Sequence, residues 1–392
     1  MALLGVFVAA VFVYSLVSAR IARTVVTPPI AFTLAGIAAY VWLPHEPAQP
    51  VHAGVFLHVA EAGLVLLLFT DASRTELRTL RTIRALPMRL LSAGLLLTIA
   101  LGALAARVVF PRLSMWEAGI LGAILAPTDA GLGQVIVTSE KVPVHVREAL
   151  GVEAGLNDGL AVPFLMFFMA GDSARLAPFI REQLLYGVLI GAGVGLAGGW
   201  LLGWARREGW MAEAIEPLGV VALPACCALL SVALGASMFI AAFAAGLCVQ
   251  PGFAGVGAHA VVLAEDWGQL LNFSIFFLFG VLVGQAAPAL DAPTLVYALL
   301  SLTVVRMLPV AMALVGAGLD RSTVLFMGWF GPRGLASIVL GLVYLEEELR
   351  TPGEALIRLA VIATVLLSIF AHGLSARPGI AAYAAAGRRD AG

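Results

Sequence analysis

The chain has 392 residues, 61% hydrophobic and only 12% charged, with a formal net charge of −1 and a mean hydropathy of +0.99. That length alone would allow two or three soluble domains, but soluble domains carry about 25% charged residues, so composition excludes them. An outer-membrane barrel would show short alternating segments, which the sequence lacks, and no nucleic-acid partner is expected.

Taken in order, the chain reads as an all-α polytopic membrane protein of about thirteen spans. These cover 2–18, 25–44, 51–70, 86–109, 115–137, 148–171, 182–205, 215–236, 237–250, 267–285, 293–318, 322–345 and 355–376. The ninth is short, and the eighth and ninth divide at Leu234-Gly235-Ala236. The first span ends at Val17-Ser18-Ala19, which resembles a signal-peptide cleavage site. It has no basic residue before it and two after it, Arg20 and Arg23, the reverse of a signal peptide's charge order. It reads as a retained helix.

Basic residues set the orientation. Of the 23 Lys and Arg, fifteen fall in loops after odd-numbered spans or at the span ends beside them, six likewise after even-numbered ones, and Arg306 and Arg333 deep inside spans. The positive-inside rule then places the odd loops and C-terminus in the cytoplasm and the N-terminus outside, in a cell (inner or plasma) membrane. The most charged connection, Asp71–Arg78, reads as a basic loop against anionic headgroups, with Asp71 alternatively at the mouth of an ion funnel. A short Ala/Gly-rich cytoplasmic tail, 379–392, is expected to end the chain. No P-loop and no nucleophile–base pair is present, so neither ATP hydrolysis nor enzyme chemistry is expected. Cys226, Cys227 and Cys248 lie in apolar runs without metal-ligand spacing and read as small buried hydrophobes.

Charges at membrane depth cost about 2.5–3.5 kcal/mol each even on lenient insertion scales, so each one asks for a function. Span five contains Ala126-Pro127-Thr128-Asp129-Ala130-Gly131. Pro127 removes a backbone donor and Gly131 is a poor helix former, so the helix should break, exposing polar backbone beside Thr128 and Asp129. Span six contains Glu153 and Asn157, four apart on one face, with Asp158 rotated about 100° further. Span twelve contains Gly331-Pro332-Arg333-Gly334, a second expected break beside a positive charge. Arg333 reads as the partner of Glu153, which leaves Asp158 free, while Arg306 reads as a residue that snorkels or braces the bundle. Interrupted helices in corresponding positions of two inverted repeats, spans four to six and eleven to thirteen, point to a secondary transporter's binding site.

These residues resemble the NhaP-like sodium/proton exchangers, a branch of the monovalent cation–proton antiporters. The resemblance rests on Ala126–Asp129, Glu153–Gly159, Phe276–Gly284, Gly328–Ser337 and Leu68–Arg81, in order along nearly the whole chain. It implies the NhaA/NhaP-type fold with two crossing broken helices and a homodimer. The transmembrane domain, 1–378, would comprise a dimerisation part (about 1–85 and 176–285) and a mobile core part (about 86–171 and 293–378). It further implies that Asp158 binds cation or proton, with Asp129, Thr128 and Asn157 around it. Na⁺ would meet oxygens of Asp158, Asp129 and Thr128, with Glu153 paired to Arg333 and the breaks at Pro127, Gly131, Pro332 and Gly334. Two departures stand out. Ala154 follows the glutamate where some members carry serine, and Thr70-Asp71 places an acid one position later than in many members.

Burial favours a carboxyl's neutral form and a nearby cation its ionised form, so proton and cation exclude each other at Asp158. The expected activity is antiport of a monovalent cation, Na⁺ first and Li⁺ possible, against H⁺. It would be electroneutral, with no cofactor beyond the transported ions. K⁺/H⁺ exchange on the same fold is the alternative, and a proton-gated cation channel a more distant one.

Overall fold

Apolar side chains along whole helices can be satisfied only by lipid or by other helices, and the chain is built accordingly. The computed structural model describes residues 2–43, 53–74, 85–171, 180–253, 258–346 and 351–389. The basic residues Arg78, Arg81, Arg84, Arg175 and Arg350, used above for orientation, lie outside them.

In chain order the helices are α1 (Ala2–Ile21), α2 (Pro28–Trp42), α3 (Ala53–Arg74) and α4, which joins Ala85–Arg89, a π-helical turn Leu90–Gly94, and Leu95–Val109. Next come the half-helices α5a (Met115–Ile124) and α5b (Ala130–Val137), then α6 (Val144–Ala170). α7 joins a π-helical Ile180–Tyr186 to Gly187–Arg207, and α8 (Glu216–Leu234), α9 (Met238–Val249) and α10 (Ala258–Ala286) follow. α11a (Ala292–Leu302), α11b (Val304–Ala313), α12a (Arg321–Trp329), α12b (Leu335–Glu346) and α13 (Glu354–Arg389) complete the series. Among the described residues eight helices are long and apolar enough to cross a membrane, and four shorter apolar ones accompany them. The protein is a multi-pass membrane protein.

Local chemistry sets several boundaries. Ser114 and Glu117 form a reciprocal capping box at the start of α5a. Asp291 and Asp320 cap α11a and α12a, and hydrogen bonds from Ser322 and Thr323 hold the Asp320 carboxyl below the usual carboxylate range. Gly235, at φ 67°, ends α8 in a left-handed C-cap and separates it from α9. The expected tail is helical as far as Arg389, as a continuation of α13.

The helices fall into two compact units. The first comprises residues 1–57, 83–157 and 273–392, and the second 58–82 and 158–272. In the first, α1 buries none of its residues and touches its neighbours through aromatic rings. Phe7 and Tyr14 meet Phe32 of α2, which stacks on Phe273 of α10 at 4.4 Å. A buried apolar cluster including Leu90, Ile136, Val310, Phe326 and Ile380 joins α4, α5b, α11b, α12a and α13. Within the second unit, α7 lies along α9 through glycines at every fourth position.

Candidate functional site

Pro127 has no N–H to give, and the helix stops three residues before it, at Ile124. It restarts at Ala130 with Asp129 as N-cap, whose Oδ1 accepts from the Leu132 N–H at 2.9 Å. Asp129 also reaches the second break. Its Oδ2 accepts from the N–H of Leu335, the first residue of α12b, at 2.5 Å, and its own N–H donates to the Pro332 carbonyl at 2.8 Å. One carboxylate therefore sits between two helix N-termini, each equivalent to roughly +0.5 charge. A Cβ on Gly334 would stand 2.0 Å from Asp129 Oδ2, so only glycine admits this approach.

Arg333 does the converse for the carbonyl end. It is fully buried, and its Nη1 donates to the carbonyls of Ala126 at 2.5 Å and Pro127 at 2.9 Å. These are acceptors that the end of α5a leaves orphaned, and a cation is favoured there. Asn157 Nδ2, on α6, donates to Thr128 Oγ1 at 2.7 Å, both residues being buried.

The expected Glu153–Arg333 pair is corrected. Glu153 pairs with Arg306 of α11b, Nη1 to Oε1 at 2.5 Å and Nη2 to Oε2 at 2.9 Å. The reason is one of reach. The Arg333 guanidinium is at the α5 carbonyls, whereas Arg306 extends under the α12 break, where Gly331 has no side chain to block it. A Cβ there would stand 2.1 Å from Arg306 Nε. The fork geometry of guanidinium matches both carboxylate oxygens, and both residues are 3% exposed.

Asp158 is buried and is the next residue along α6 after Asn157. Gly131 lies in the first turn of α5b. Pro127, Thr128, Asp129, Pro332, Arg333 and Gly334 thus come together at one crossing, Asn157 bonds to it, and Glu153 is held by Arg306.

The family model described as "Sodium/hydrogen exchanger, transmembrane" matches residues 7–381. The chain belongs to the sodium/hydrogen exchanger family. It is 26% identical over 331 residues to the K(+)/H(+) antiporter NhaP of Alkalimonas amylolytica, covering 82% of this chain and 56% of that protein. It is 24% identical over 356 residues to a Na(+)/H(+) antiporter of Schizosaccharomyces pombe, covering 82% of this chain and 74% of that protein. The alignment with Na(+)/H(+) antiporter 2 of Zygosaccharomyces rouxii spans only 38% of that protein, so the chain spans little more than half, or less, of several of the relatives it matches. The solved sodium proton antiporter MjNhaP1 from Methanocaldococcus jannaschii shares the fold, with a TM-score of 0.74 at 21% identity over 95% of this chain and 99% of that one.

In this exchanger-family chain a cavity of about 40 Å³ lies beside the crossing, lined by Thr128, Asp129, Glu153, Ala154, Gly133 and Leu150 among others. It is large enough for a few waters. Sequence reading missed the contributions of Ser368 and His372 on α13, both buried and bonded to the α12 break. Their spacing of four within an apolar span was the available signal.

Proposed function

We propose that the chain is a secondary antiporter that exchanges a monovalent cation for H⁺, with Asp158 as the carboxylate both ligands compete for. The reading is carried by the burial of Asp158 one residue beyond Asn157, which is itself bonded to Thr128 at a polar break in the apolar bundle. Irregular backbone at membrane depth is tolerated only where it is buried in protein or lines a water-filled cavity. Hard cations favour oxygen donors, and Thr128, the break carbonyls and the two aspartates offer them. Asp129 is engaged by two helix N-termini, which fixes the position of its carboxyl in this set. Cation or proton neutralises Asp158, and the neutral site is the one that can be carried between opposite faces. The chain is read as a homodimer, with a dimerisation part and a moving core, the N-terminus outside and the C-terminus cytoplasmic.

Na⁺ is the first choice of cation. K⁺ is the second, supported by the K(+)/H(+) names of the Alkalimonas relative and of NhaP2 of Shewanella oneidensis and by Ala154, which withholds a hydroxyl from the cavity. Proteoliposomes with an entrapped pH dye test both. Added Na⁺ should dissipate an imposed ΔpH faster than K⁺, and Asp158→Asn should abolish the response while the protein remains folded. Cation flux without proton counterflow would instead indicate a channel, and normal exchange in Asp158→Asn would refute the assignment.

A further inference from the structure

The break in α12 is closed from α13. Ser368 and His372, one turn apart on one face of α13, are 0% and 2% exposed. Ser368 Oγ accepts from the Arg333 N–H at 2.6 Å. His372 Nε2 lies 2.9 Å from the carbonyl of Trp329, the last residue of α12a. Its Nδ1 lies 3.1 Å from Ser368 Oγ and 3.0 Å from the Ser368 carbonyl.

The donor directions follow from chemistry. Both ring nitrogens face a carbonyl, and a neutral imidazole donates from only one of them. Nε2 has the Trp329 carbonyl as its one partner and takes the proton, while Nδ1 accepts from the Ser368 hydroxyl instead of bonding the Ser368 carbonyl. The Ser368 hydroxyl receives the Arg333 N–H and turns its own proton to Nδ1. One consistent chain results, from Arg333 N–H through Ser368 and His372 to the Trp329 carbonyl. It spans the break, gives the Arg333 N–H an acceptor, and brings a second donor to the Trp329 carbonyl, which also accepts from the Gly331 N–H at 2.9 Å. Trp329 is fastened a second time, its Nε1 donating to Ser375 Oγ at 3.0 Å.

We propose that Ser368 and His372 are positioning residues of the exchange site. They fix the span between Trp329 and Arg333, and so the place from which Arg333 Nη1 holds the Ala126 and Pro127 carbonyls next to Thr128. This rests on the exchange reading above. The two residues act through Arg333 and the α5 break.

The test compares Ser368→Ala, His372→Leu and His372→Gln in proteoliposomes, reading apparent KM for Na⁺ and maximal rate per folded transporter, with Tm alongside. Loss of one buried hydrogen bond corresponds to about a tenfold change in an equilibrium. Ser368→Ala and His372→Leu should therefore raise apparent KM about tenfold, with the maximal rate changed less than KM. His372→Gln, whose amide can donate to Trp329 and accept from Ser368, should restore most of the KM lost in His372→Leu. An unchanged KM in the loss variants, whatever their Tm, overturns the proposal, as does a His372→Gln variant no better than His372→Leu. A second readout does not need transport. Backbone hydrogen exchange at residues 331–335 should quicken in Ser368→Ala, and unchanged protection there overturns the proposal even if the unaltered chain moves no protons, a result that by itself would defeat only the exchange reading.

Discussion

Glu153 and Arg306 lie 153 residues apart in sequence and meet with both oxygens and both terminal nitrogens engaged. Neither charge is tenable alone at that depth, and removing one half of a buried pair costs about 3–5 kcal/mol because the other half stays charged and unpaired. Glu153→Gln should therefore lower thermal stability strongly. In a double-mutant cycle Glu153 should couple to Arg306 by more than about 1 kcal/mol and to Arg333 by less, and the reverse order would contradict the pairing. The sequence made legible that Glu153 needs a cation. It did not make legible which one, because the choice depends on a guanidinium passing Gly331, and no spacing rule encodes that approach. Asp129 was legible as a polar group at a break. Its engagement with two helix N-termini at once was not, since Leu335 is 206 residues away. Gly334→Ala, which would set a methyl group against Asp129 Oδ2, should displace that double cap. The expected result is exchange lowered at least about tenfold, a loss matching one to two charge-assisted hydrogen bonds, read as the rate of dye-reported ΔpH dissipation.

At the scale of elements, α7 and α9 show how close contact is obtained. Gly187, Gly191, Gly195, Gly199 and Gly203 are buried at every fourth position, a helical stripe that lets backbones approach as small residues do between membrane helices. A Cβ on Gly195 would stand 2.5 Å from the Ala245 carbonyl, whereas at Gly193 it would meet nothing within 4 Å. Gly195→Val should thus destabilise by about 1–3 kcal/mol through overpacking, and Gly193→Ala should be neutral or stabilising by up to about 1 kcal/mol. Thermal unfolding in detergent reads both, and equal losses at the two positions would refute the contact. Hydropathy located the helices and proline located the two breaks. It could not see the π-helical turns Leu90–Gly94 and Ile180–Tyr186 or the interruption at Thr303, because a change in hydrogen-bond register leaves apolar composition untouched. Beyond residue 376, where the last span was expected to end, the helix runs on to Arg389 through an alanine-rich stretch, since alanine sustains a helix by its intrinsic propensity.

For the whole molecule, composition was enough to establish a polytopic membrane protein, and the ordered motifs were enough for its family. By backbone contacts α1, α2, α4, α5 and α11 to α13 lie in the first unit and α7 to α9 in the second, while α3, α6 and α10 are each divided between the two. What the contacts add is a charge count for the proposed cycle. Glu153 is held by Arg306 through two bonds, Asp129 is held by the N-termini of α5b and α12b, and Asn157 carries no proton. With Asp158 as the exchanging carboxylate of the proposed cycle, the expected stoichiometry is one cation moving one way and one proton the other per turn. Exchange should be electroneutral. On solid-supported membranes a Na⁺ concentration jump should give no sustained current, and ΔpH dissipation in proteoliposomes should be unchanged when the membrane potential is clamped at different values with K⁺ and valinomycin. A steady current, or a rate that follows the clamped potential, would mean that a second acid titrates in the cycle, and Asp129 is the acid whose helix-terminal bonds would then have to open.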